Sequence, residues 1–130
     1  MREIKYLVVH CTAGSQKESI EQLIKGFRKR KWKNNGYHIV VDGTGKMHNI
    51  TDLDVIANGV AGHNAHSIHI SYMGGVDLNT GRAVDNRTPE QKAMLRIILS
   101  ELKIAYQDAV IKGHRDFSPD KDKDGIIEKF

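Results

Sequence analysis

The first apolar run, Tyr6-Leu7-Val8-Val9-His10-Cys11, is short, rich in β-branched residues and closed by the polar stretch Thr12 to Gln16. That pattern predicts a buried strand ending on a histidine. Ser19 and Gln22 then form a capping box ahead of Ile20, Leu23, Ile24 and Phe27 at helical spacing, which predicts a helix over about 19–31. Tyr37 to Val41 and Lys46 to Ile50 flank Asp42-Gly43-Thr44-Gly45, whose glycines suit the tight turn of a β-hairpin. Ser67 to Met73 alternates, with Ile68, Ile70 and Tyr72 on one face and Ser67, His69 and Ser71 on the other. Thr88-Pro89-Glu90-Gln91 joins an N-cap, a proline at the first helical position and a second capping box. Met94, Leu95, Ile98, Leu99, Leu102 and Ala105 continue as one stripe, so a helix reaches about Tyr106. A short strand, Ala109 to Lys112, precedes Gly113-His114. Strands and helices alternating in this order predict an α/β domain, a central sheet covered by two amphipathic helices.

Length changes this picture little: 130 residues suit one domain with its own core, so residues 1–130 read as a single unit with no repeat or linker. A hydrophobic content of 39% and a charged content of 28% are those of a globular protein, and no apolar run is long enough to span a membrane. The polar start, Met1 to Lys5, lacks the apolar region of a secretory signal, so the chain is expected to be cytoplasmic as synthesised. The single cysteine, Cys11, excludes an internal disulfide framework and reads as a buried thiol rather than a nucleophile. A net charge of +4 favours an anionic partner. The basic residues from Lys25 to Lys33 fall on the predicted helix, where a solvated face accounts for them, and nucleic acid is not expected as a partner.

Of the seven histidines, His10 and His114 sit where a predicted strand gives way to a polar loop. If those strands lie parallel and adjacent, the two imidazoles meet at one sheet edge and make half of a zinc site. Spacing alone leaves them equally readable as unrelated.

The surrounding motifs carry more. His10-Cys11-Thr12-Ala13, Gly36-Tyr37-His38, Gly62-His63-Asn64-Ala65-His66-Ser67-Ile68 and Gly113-His114-Arg115-Asp116 occur in this order. With Gly74-Gly75-Val76-Asp77 and the Thr88 helix start, they resemble the phage-lysozyme-like N-acetylmuramoyl-L-alanine amidases, type 2 amidases related to the peptidoglycan recognition proteins. The resemblance covers nearly the whole chain. It implies a mixed sheet flanked by helices and zinc-dependent hydrolysis of the amide between N-acetylmuramic acid and L-alanine in peptidoglycan. The expected role is that of a phage or prophage endolysin acting on the cell wall, monomeric, with no membrane partner. It also assigns His10 and His114 as zinc ligands and Tyr37 as the catalytic tyrosine. Zinc polarises an amide carbonyl and acidifies water, and a phenol can donate to the developing oxyanion. His63 and Asn64 fall in the segment that borders the family's substrate groove; His38 is ambiguous, and His66 and His69 receive no role.

Two departures stand out. The family's third ligand is usually a cysteine beyond the second histidine, and none follows His114; counting without a gap puts Asp122 in its place. Alternatively, Asp120-Lys121-Asp122-Lys123-Asp124-Gly125-Ile126-Ile127-Glu128 reproduces the first part of an EF-hand loop, with Ca²⁺ expected at Asp120, Asp122 and Asp124. The closeness of that match favours an insertion, which makes the 130-residue chain a shortened form whose third ligand falls past Phe130. The other departure is Gly59, where many members place a histidine. A competing expectation, from the missing third ligand, is a module that binds muramyl peptides without cleaving them.

Overall fold

The computed structural model describes residues 2–113. Its strands are β1 (Tyr6–Cys11), β2 (Ile39–Val41), β3 (Met47–Asn49), β4 (Ser67–Tyr72) and β5 (Val110–Gly113), and its helices are α1 (Ile20–Lys29) and α2 (Pro89–Ala105). The strands form one mixed sheet in the order β3-β2-β4-β1-β5. All neighbours are parallel except the β2–β3 hairpin at one edge.

Both capping boxes form. Ser19 Oγ accepts from the Gln22 N–H while the Gln22 side chain accepts from the Ser19 N–H, and Thr88 and Gln91 repeat the exchange at α2. These bonds satisfy amide donors that the first helical turn leaves without partners. Helix α1 stops at Lys29, two residues short of the sequence expectation, and the hairpin strands keep only their three central pairs.

The register sorts side chains onto two faces. Leu7 pairs with Ile68, and Val9 and Ile39 both pair with Ile70; this face packs against Leu95, Ile98 and Leu102 of α2. Burying one such aliphatic side chain contributes roughly 1.5–3 kcal/mol. The opposite face meets α1, whose Leu23 and Phe27 pack on Val40 and Met73. Between them lies a polar strip that sequence alternation alone suggests should face solvent. It does not: every residue of β4 is buried, Ser67, His69 and Ser71 included. A parallel strand between two others, covered on both faces, has no wet side.

Gln91 links the α2 cap to the sheet. It is fully buried, and its Nε2 donates to the Met73 carbonyl at 2.9 Å while its Oε1 accepts the Thr88 amide. Gln91→Ala removes both bonds, and its unfolding free energy in a urea titration is expected to drop by about 2 kcal/mol.

Candidate active site

His10 is the penultimate residue of β1, 1% exposed, on the polar strip. Tyr37 enters just ahead of β2, and its ring lies 5.2 Å from the His10 ring, centroid to centroid. A column of aromatics holds it there: Phe27 meets Tyr37 edge-on at 5.6 Å and stacks on Trp32 at 5.6 Å. Gly36 makes this approach possible, since a Cβ there would sit 2.9 Å from the Phe27 ring. The Tyr37 hydroxyl donates to the Cys11 carbonyl at 3.3 Å. Desolvation pushes the Tyr37 phenol up to about 12, so the group stays protonated at neutral pH and remains a donor.

Three imidazoles crowd the strip, and their hydrogen bonds fix how each is protonated. The Val60 N–H donates to Asn64 Oδ1 at 2.8 Å, which identifies that atom as the amide oxygen, an acceptor. His69 Nε2 lies 2.9 Å from the same oxygen and must therefore carry a hydrogen. In neutral His69 the other nitrogen, Nδ1, is then an acceptor. His10 Nε2, 2.8 Å from it, donates. Neutral His10 consequently holds its proton on Nε2 and its lone pair on Nδ1. His38 is settled in the same way: its Nδ1 accepts the His69 N–H at 3.0 Å, and its Nε2 donates to the Val55 carbonyl at 2.7 Å. Burial lowers the His38 pKa, in keeping with a neutral ring that bridges β4 and the loop after β3.

A hydrogen-bonded row of imidazoles is not itself a metal centre, because the nitrogens that face one another share protons. Among the described residues no group of three His, Cys, Asp or Glu is placed to hold an ion. The donor chemistry of His10 nevertheless suits zinc, which takes a neutral imidazole through the nitrogen that lacks the proton. His114, Asp120, Asp122 and Asp124 lie outside the described residues. Gly113, the residue before His114, is the parallel partner of Val9, the residue before His10.

The 60s segment divides the two residues expected at the groove. Asn64 turns its oxygen inward onto Val60 and His69. His63 is exposed and meets the Tyr6 ring at 6.3 Å, at the opposite end of β1 from His10, roughly 13 Å along the strand. Arg2 ties this segment down through the carbonyls of Asn64, Ala65 and Ser67 at 3.0–3.2 Å. A cleft of about 450 Å³, lined by Ser15, Lys17, Asp77, Leu78 and Asn86 among others, opens where the chain leaves β1 and β4, on the side of His10. His69, which received no role from the sequence, joins His10 here through tertiary contacts that no local spacing signals.

Comparison with known proteins agrees with this architecture. The family model described as N-acetylmuramoyl-L-alanine amidase matches residues 1–125. The endolysin of Klebsiella phage KP32 is 30% identical over 120 residues, covering 91% of this chain and 79% of its own. The endolysin of Escherichia phage T7 is 29% identical over 115 residues, covering 87% and 76%. Among solved structures, the Ph2119 endolysin from a Thermus scotoductus bacteriophage superposes with a TM-score of 0.77 at 26% identity, over 91% of this chain and 75% of that one. The peptidoglycan recognition proteins LCa and LCx, solved with tracheal cytotoxin, share the fold with a TM-score of 0.72 at 23% identity, over 91% and 74%. The family match spans nearly the whole chain and the fold agrees with it, so the chain belongs to the N-acetylmuramoyl-L-alanine amidase family.

Proposed function

We propose that this chain hydrolyses the amide joining N-acetylmuramic acid to L-alanine in peptidoglycan, with zinc held by His10 and His114. The observation that carries the reading is the meeting of the His10 and Tyr37 rings at the end of β1, next to the Gly113–Val9 pairing.

Zinc, when bound, supplies Lewis acidity toward the scissile carbonyl and makes water a competent attacker near neutral pH. The chain's own residues supply the rest. His10 offers the Nδ1 lone pair, held in place by the bond its Nε2 makes to His69. Tyr37 supplies a proton donor beside it. Its resting bond to the Cys11 carbonyl is long, 3.3 Å, so the hydroxyl turns toward a substrate oxygen at little cost. The cleft beside β1 and β4 gives the muramyl peptide room at this end of the sheet.

The test is incubation of purified cell wall with the protein. Stem peptides with new L-alanine amino groups should appear, a chelator should stop their release, and added zinc should restore it. Protein that sediments with the wall and releases nothing would instead be a binding module. The same preparation addresses the third ligand. If Asp122 holds the metal, Asp122→Ala should weaken zinc binding by at least about tenfold, as loss of even an outer-shell partner does. If residues 120–128 are an insertion, its affinity should match the unaltered chain.

A further inference from the structure

Gly59 and His69 are coupled in space. A Cβ at Gly59 would lie 2.3 Å from His69 Nδ1, 2.5 Å from its Cγ and 2.6 Å from its Cε1, inside the ring's own contact surface. The His69 imidazole therefore stands where any side chain at 59 would begin, and only glycine admits it. The ring is fully buried and gripped at both nitrogens, by His10 Nε2 on one side and by Asn64 Oδ1 on the other. Asn64 is held in turn by the Val60 amide, and its backbone carbonyl by Arg2.

We propose that His69 is a positioning residue for the metal ligand: anchored by Asn64 and admitted by Gly59, it fixes His10 as the tautomer whose Nδ1 carries the lone pair and aims that ring. The proposal rests on the reading of His10 as a zinc ligand. The logic is that of an outer-shell partner, since an imidazole binds metal through one nitrogen only as well as the other is held. The direction is set by a group that cannot change its role. A backbone N–H only donates, so the order Val60 amide, Asn64 oxygen, His69, His10 runs one way. Reversing it would require a second proton on His69.

The experiment measures zinc affinity of the full chain by competition with a chromophoric chelator, with urea midpoints as a check on folding. His69→Ala should weaken zinc by about 10- to 100-fold. His69→Asn places a carbonyl oxygen near the position of Nδ1, keeps the acceptor for His10 and should recover most of that loss. Gly59→Ala should weaken zinc when His69 is present and have no further effect in the His69→Ala background, because the methyl group then enters vacated space. Native affinity in His69→Ala, failure of His69→Asn to recover, or equal effects of Gly59→Ala in both backgrounds would overturn the proposal while leaving the amidase reading intact. His10→Gln separates the two: if it binds zinc as the unaltered chain does, His10 is no ligand, and the amidase site as read here falls together with the positioning role.

Discussion

His10→Gln should abolish release of stem peptides from cell wall while leaving the fold intact. The expected loss is more than about a thousandfold, because the zinc proposed at this ring would lower the barrier by several kcal/mol and each 1.36 kcal/mol is a factor of ten. Glutamine is the informative choice. Its Nε2 sits the same number of bonds from Cβ as the imidazole Nε2, so the donor to His69 Nδ1 survives while the Nδ1 lone pair is lost. Alanine removes both. It takes the donor away from a buried acceptor, and His10→Ala is expected to unfold more easily by about 1–3 kcal/mol as well as being inactive. Equal inactivity with unequal stability is therefore the signature of a ligand. If His10→Gln cleaves wall near the native rate, metal held at this ring does not drive the reaction.

The two nitrogens of His10 also show how far the sequence could be read. The strand and its penultimate histidine are local features, visible in six residues, and so are Ser19 with Gln22 and Thr88 with Gln91, whose caps form as their spacing requires. The α2 stripe is visible for the same reason, since Leu95, Ile98 and Leu102 recur on one helical face. The parallel pairing of β1 and β5, which the sequence offered only as a condition for the two histidines to meet, is present. The polar side of β4 was not legible. Whether Ser67, His69 and Ser71 meet water or a second layer depends on α1 and the 60s loop folding over them, and no spacing within β4 carries that information. The missing histidine at 59 is the sharper case. Position 59 by itself shows only an absence, whereas the ring filling that space comes from ten residues later, on a strand whose register with β1 is set by tertiary pairing. His63 and Asn64 likewise adjoin in sequence yet diverge, because the turn at Asn64–His66 sends one side chain toward Tyr6 and the other toward His69.

Tyr37→Phe should lower the rate of wall cleavage by about 100- to 1,000-fold with sedimentation on the wall unchanged, the loss expected on removing one oxyanion donor. The phenyl ring keeps its edge contact with Phe27 and its place beside His10, so the substitution removes only the hydroxyl and its bond to the Cys11 carbonyl. A neutral hydrogen bond of that kind contributes about 0.5–1.5 kcal/mol, too little to unfold the domain. The pH dependence adds a second measurement. Desolvation lifts the Tyr37 pKa from 10.0 to about 12. The unfolded chain therefore gives up this proton first. The stability linked to Tyr37 is fully present below pH 10, drains as the pH rises and is gone above about 12. Urea midpoints measured on either side of pH 10 should fall less in Tyr37→Phe, which has no phenol to ionise. A variant that cleaves wall at the native rate would remove Tyr37 from the chemistry and leave it as packing over His10. A rate loss matched by an equal loss of wall binding would place its hydroxyl on the ground-state substrate instead of on the charge that develops during the reaction.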